Sequence, residues 1–231
     1  MGISDIEKQL FPDKLQMSPC FVIKRFNSIL AKYGKEAVFR HNYFKKSREM
    51  WIAAAFCLGE KRMSGKDYWI APEYIDATPD VHAYIYKQDE KYTKGNKQID
   101  YNIEVTEWIG DLSLNEAIIK KLHNKKYPNF FTLLVYSHQP GGTVVNMEKI
   151  FQLVKVEKIN IGSIWFLSAI KDVNFNHKLI CLFPERNEIG FNINNAIIDN
   201  CKREELLLTR RDVGLQLEKL GKIVLKLPDL K

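Results

Sequence analysis

Two acidic residues, Asp80 and Glu104, are the first candidates for chemistry. Asp80 closes the triplet Thr78-Pro79-Asp80 at the head of Val81–Tyr86, a run rich in apolar and aromatic residues that reads as a strand. Glu104 lies 24 residues further on, inside a second such run, Asp100–Trp108. The charged, glycine-containing segment Lys87–Gln98 reads as the hairpin loop between them, so pairing of the two strands brings both carboxylates toward one end of a sheet. Side chains alternate along a strand, which puts Glu104 and Thr106 on one face with Asn102 and Trp108, and Glu107 on the other with Tyr101, Ile103 and Val105. A β-bulge or the strand end could still turn Glu107 toward the first set. Carboxylates held a few ångströms apart suit a hard divalent cation such as Mg²⁺, which keeps several waters and takes one or two protein carboxylates plus substrate phosphates. Such an ion neutralises charge developing on a phosphoryl group and lowers the pKa of an attacking water. Each acid also has a plainer reading, since Pro-Asp suits a turn and a strand glutamate suits a solvated face.

The elements that must position these acids can be read on both sides of them. The first 40 residues read as helical, with Val22, Phe26, Ile29 and Leu30 as an apolar stripe and Ser18-Pro19 as a start signal. A second helix is expected over Phe44–Leu58, with Gly59 as its C-cap. Asp67–Ile75 reads as a strand interrupted at Pro72. After the two strands comes a helix over Leu114–Asn124, with Ser113 and Glu116 as a capping box. Phe130–Tyr136 is a continuous apolar run fit for a strand buried on both faces. Beyond a turn at Pro140-Gly141-Gly142, a helix over Val145–Val156, strands over Ser163–Ile170 and Lys178–Phe183, a helix over Asn192–Leu208 and a last strand over Ile223–Leu227 follow. The order predicts an α/β fold with a central mixed β-sheet flanked by helices. With no linker or repeat, residues 1–231 read as one domain: a helical extension over 1–40, an α/β core over 44–185 and a C-terminal extension over 186–231.

Pro79-Asp80 at a strand start, the acid Glu104 between Ile103 and Val105 in the next strand, and the order helix, three strands, helix, strand resemble the PD-(D/E)XK, or restriction-endonuclease-like, nuclease superfamily. The resemblance covers about residues 44 to 138, with a looser fit to about 185. It implies a nuclease hydrolysing phosphodiester bonds in DNA, with RNA as the other nucleic acid left open, and Mg²⁺ or Mn²⁺ as cofactor. By this resemblance Asp80 and Glu104 are metal ligands, and the acid that many members carry in the first helix falls on Glu49 rather than Glu60. The family's motif lysine, two residues after the strand acid, is here Thr106, which cannot supply a cation. Lys87, Lys120 and Lys121 are the substitutes on neighbouring elements. Members that cut both strands often dimerise, so a homodimer is left open. The alternative is a nuclease-like protein without catalysis that binds nucleic acid or a protein partner.

Among the 231 residues, 35 Lys and Arg against 28 Asp and Glu give a net charge of +7, a weak pointer to an anionic partner. Basic clusters at Lys91–Lys97 and Lys120–Lys126 fall beside the candidate acids, and Lys94, Lys97, Lys120, Lys121 and Lys125 are the candidate nucleic-acid contacts. A third basic cluster runs over Lys202–Arg211. Cys20, Cys57, Cys181 and Cys201 show no zinc-site spacing and read as free thiols of a reducing compartment. His41, His82, His123, His138 and His177 show no metal-ligand spacing either. No Walker loop or GxSxG elbow occurs. With no signal peptide and no long apolar run, a cytoplasmic protein that does not enter the membrane is expected.

Overall fold

A computed structural model describes residues 3–12, 15–74, 79–88, 96–124, 131–138, 145–172, 174, 176–200 and 207–209. Eight strands form one open mixed sheet in the spatial order β8-β7-β6-β5-β4-β3-β2-β1, and a short ninth, β9 (Leu207–Thr209), pairs antiparallel with β1 (Leu15–Met17) at its edge. The strands β2 (Trp69–Pro72), β3 (Val81–Gln88) and β4 (Asn96–Trp108) are an antiparallel meander. From β4 the chain crosses through α5 (Leu114–Asn124) to β5 (Phe131–Ser137), parallel to β4, and through α6 (Met147–Val156) to β6 (Ile161–Ala169), parallel to β5. β7 (His177–Phe183) and β8 (Asn187–Phe191) close that side antiparallel, and α7 (Ile193–Asn200) follows.

The sheet is the middle of three layers. One face, carrying Ile103, Val105, Leu134, Tyr136, Trp165 and Leu167, packs with helix α4 (Lys45–Ser64) and, behind it, α2 (Pro19–Tyr33). The other, carrying Leu133, Val135, Ile164 and Phe166, packs with Leu114, Ile118 and Leu122 of α5 and Ile150 and Val154 of α6. This is why β5 is buried at every position and reads as an unbroken apolar run: helices cover both of its faces. The same argument explains α4, buried at every residue from Ser47 to Glu60 except Trp51, because it lies between the sheet and α2.

Several expectations are met closely. Ser18 caps α2 by accepting a hydrogen bond from Phe21 N, with Pro19 in the first turn. The Ser113–Glu116 capping box forms in both directions. The three described cysteines, Cys20, Cys57 and Cys181, are buried free thiols.

Others need correction. Helix α4 does not stop at Gly59 but runs to Ser64, where Gly65 takes the left-handed C-cap conformation (φ 71°, ψ 2°). Gly59 is a packing glycine. A Cβ there would meet Leu179 Cδ2 at 2.8 Å and Phe191 Cε1 at 3.1 Å, so its missing side chain lets α4 lie close on β7 and β8. The first 40 residues are helical in α1 (Ile3–Leu10), α2 and α3 (Lys35–Arg40), yet they also contribute β1 to the sheet, and Leu10, Phe11 and Met17 are fully buried. The late helix stops being described at Asn200, and Leu207-Leu208 are strand rather than helix. β8 has no counterpart in the sequence reading, because NEIGF is too short and too exposed to show alternation. Pro140-Gly141-Gly142 and Ile223–Leu227 lie outside the described residues. Among those described, no helix is long and apolar enough to cross a membrane.

Candidate functional site

The register pairs Val81 with Ile103, so Asp80 follows directly at the end of the β3–β4 ladder. Its carboxylate continues that ladder by one acceptor: Val105 N–H donates to Asp80 Oδ2 at 2.9 Å. The acid is thereby fixed at the corner where β3 ends and β4 goes on.

The first turns of α4 pack against this corner. Lys46 Nζ donates to the backbone oxygen of Asp80 at 3.1 Å and lies 2.5 Å from Glu49 Oε2, while Lys45 Nζ is 3.5 Å from Glu49 Oε1. Glu49 is 3% exposed. Burial raises its pKa above the ordinary carboxylate value, and the neighbouring Asp80 charge pushes it further the same way. The attraction of Glu49, and then of Asp80, outweighs burial and raises the pKa of Lys45 in turn. Glu7 reaches in from α1, where Oε1 accepts a hydrogen bond from Lys46 N at 3.0 Å. Burial raises the Glu7 pKa as well, against the lowering effect of Lys46. Two carboxylates, Glu49 and Asp80, thus share one corner with two lysines.

Glu104 lies on the opposite face of β4. It pairs in register with Leu133, under α5, and is fully buried, with Lys121 Nζ 2.7 Å from its Oε1. Among the described lysine side chains that could replace the motif cation, Lys121 is placed on the strand acid. Thr106 shares that face, and its Oγ1 is shut off from solvent with no hydrogen-bond partner among the described residues. Lys120 is exposed beside Lys121. Lys87 and Lys97 occupy paired positions of the β3–β4 hairpin, and Lys94 and Lys125 lie outside the described residues. Glu60, about 16 Å along α4 from Glu49, accepts a long hydrogen bond from Tyr68 at 3.5 Å and takes no part in the corner.

Glu49 and Asp80 are therefore brought together at the corner, while Glu104, one step beyond the Val81–Ile103 pair and so across from Asp80, has its own lysine under α5. Among the described residues no three His, Cys, Asp or Glu side chains gather as a metal-binding group. Two carboxylates with an all-oxygen donor set still match Mg²⁺, which retains most of its waters.

A third group was not singled out by the motif. Glu107 faces α4, as strict alternation has it, and forms a cluster with Arg48 (Nε to Oε1, 2.9 Å) and His138 (Nε2 to Oε2, 2.6 Å). Burial acts to raise the Glu107 pKa, but the hydrogen bonds and charges of His138 and Arg48 prevail and hold it below the ordinary carboxylate value. The helical spacing of Lys45 and Lys46 four and three residues before Glu49 was a signal available in the sequence. Arg48–Glu107–His138, joining three elements, had none. No family model matches the chain, and no curated protein matches it in sequence.

Proposed function

We propose that the chain is a divalent-cation-dependent nuclease that hydrolyses phosphodiester bonds in DNA, built on a restriction-endonuclease-like core. The order α4, β2, β3, β4, α5, β5 supports this, as does Pro79-Asp80 at the head of β3. The observation that carries the reading is the buried Glu49 carboxylate held beside Asp80, close enough for the second charge to raise the pKa of the first. Two acids gathered in one corner, one of them almost fully desolvated, are where a cation can be held in the place Lys46 now takes. Glu49 and Asp80 would hold Mg²⁺ or Mn²⁺, which when bound neutralises charge developing at the phosphoryl group and acidifies a bound water. Asp80 is fixed for that task by Val105 N–H. Exposed lysines such as Lys120 would grip the backbone, which makes binding fall steeply with salt.

Incubation with DNA and Mg²⁺ or Mn²⁺ tests the proposal: wild type cleaves, and Asp80→Ala and Glu49→Ala lose cleavage. Absence of cleavage by wild type, or undiminished cleavage by both variants, overturns it. A second reading has its own observation. Lys46 already neutralises Glu49, and Lys121 neutralises Glu104, as in a nuclease-like protein that binds nucleic acid or a protein partner without catalysis. Calorimetry separates the two, since a decayed site takes up neither Mg²⁺ nor Mn²⁺.

A further inference from the structure

The Arg48–Glu107–His138 cluster has the form of an oriented base. Glu107 Oε1 is taken by Arg48 Nε, and the same guanidinium is anchored by donating from Nη1 to the backbone oxygens of Val38 (2.9 Å) and His41 (3.3 Å). A carboxylate so held is ionised and only accepts, so the imidazole nitrogen facing it, His138 Nε2 at 2.6 Å, carries the proton. In neutral His138 the lone pair then sits on Nδ1. The ring is fixed edge-on between Phe39 (5.8 Å between centroids) and Tyr136 (5.0 Å), and its side chain is 28% exposed, so it reaches solvent. His138 directly follows β5, and Glu107 is near the end of the parallel strand β4; ligands of α/β sheets gather at such carboxyl ends. Glu107 is two residues from Val105, whose amide holds Asp80, and Arg48 directly precedes Glu49. The base and the acidic corner therefore share one end of the sheet.

We propose that His138 is the general base of this site, with Glu107 and Arg48 as its positioning residues and a phosphodiester of nucleic acid as the substrate. This rests on the phosphodiesterase reading above and names the group that takes the proton. His138 Nδ1 accepts a proton from water as the water oxygen bonds to phosphorus. The bond from phosphorus to the leaving oxygen breaks, that oxygen takes a proton from solvent, and a phosphate monoester and an alcohol result. The imidazolium formed is stabilised by Glu107 and returns its proton to solvent. Among the described residues, the titratable or charged groups facing the imidazole are Glu107 from β4, Arg48 from α4 through Glu107, and Tyr136 from β5, whose hydroxyl is pushed up to about 12 by burial and stays neutral.

The experiment measures DNA cleavage with Mn²⁺ from pH 5.5 to 9 for wild type, His138→Gln, His138→Ala, Glu107→Gln and Asp80→Ala, with DNA affinity followed by anisotropy in Ca²⁺. His138→Gln keeps a donor toward Glu107 and so preserves the fold, yet cannot take a proton. The expected result is a wild-type rate that rises with pH, a loss of about 100-fold or more in His138→Gln and His138→Ala, and unchanged DNA affinity. Added imidazole restores part of the His138→Ala rate. Glu107→Gln keeps the rise with pH but moves it to lower pH, because the imidazolium loses its partner. If wild type cleaves, Asp80→Ala does not, and His138→Gln cleaves within tenfold of wild type and with the same rise with pH, the general base is not His138 although the site stands. If wild type does not cleave at any pH, the phosphodiesterase reading itself falls, and this inference with it.

Discussion

Glu104 and Glu107 stand three residues apart on β4 and look into opposite faces of the same sheet. Glu104 is fully buried under α5 with a lysine ammonium against it, whereas Glu107, its side chain 23% exposed, is shared between a guanidinium and an imidazole under α4. The difference teaches what each face can do. An ion pair whose carboxylate is fully buried is costly to break from the lysine side, because the buried acid then loses its charged partner. A carboxylate at the edge of solvent, fixed by Arg48, can instead set the orientation of a group that meets solvent. The α5 side of the strand is thus built around a fully buried carboxylate, and the α4 side around a carboxylate and an imidazole that both meet solvent.

The largest effect expected comes from breaking the Glu104–Lys121 pair. Lys121→Ala leaves Glu104 buried without its ammonium and should cost about 3–5 kcal/mol in urea unfolding, whereas the double variant Glu104→Leu/Lys121→Met should lie near wild type. A small loss in the single variant would mean that water reaches Glu104, and the contrast between the faces would fail. The next effect belongs to the α4 face. His177, buried against Trp51 and Phe191, has its pKa lowered by burial from 6.5 to about 4. It is neutral when folded, while the unfolded chain protonates below 6.5. The stability tied to this is fully present above pH 6.5 and is lost as the pH falls from there toward 4, by about 3 kcal/mol in all. His177→Leu should flatten that part of a stability–pH curve, and an unchanged curve would assign the acid sensitivity to other groups.

Gly59→Ala sharpens the comparison from the packing side. Its Cβ would press on Leu179 and Phe191, so about 1–3 kcal/mol should be lost in thermal or urea unfolding. The smallest effect is expected at the head of α5, where Ser113→Ala removes the cap from Glu116 N and should cost about 1 kcal/mol. Equal costs at the two glycine and serine sites would show that α4 is no more tightly seated than α5.

The legible parts of the fold were those with local causes. α2 and α5 carry their own start signals, Ser18-Pro19 and Ser113–Glu116, and β5 announces its burial by composition. Gly59 misled because a glycine after an apolar helical run ordinarily marks a C-cap, and nothing local tells that its missing Cβ makes room for a strand more than a hundred residues away. For the candidate site, Asp80 was visible through Pro79-Asp80 at a strand start and Glu49 through the resemblance this carries, but nothing local showed that Lys45 and Lys46 would join them at one corner. Which lysine serves Glu104 was not visible, because Lys120 and Lys121 are equivalent in sequence and differ only in the direction each takes from α5.

The sequence by itself determined the order of helices and strands from α4 to β7, the alternation that sends Glu104 and Glu107 to opposite faces, and the acid at the head of β3. These follow from periodicity and from hydrogen bonds made within a few residues. The tertiary structure alone decided that Lys46 bridges Glu49 to the Asp80 backbone, that Lys121 closes on Glu104, and that Arg48, Glu107 and His138 meet. Each of these joins side chains from different elements, so its geometry depends on how α4 and α5 pack on the two faces of the sheet, and short-range pattern carries no record of that.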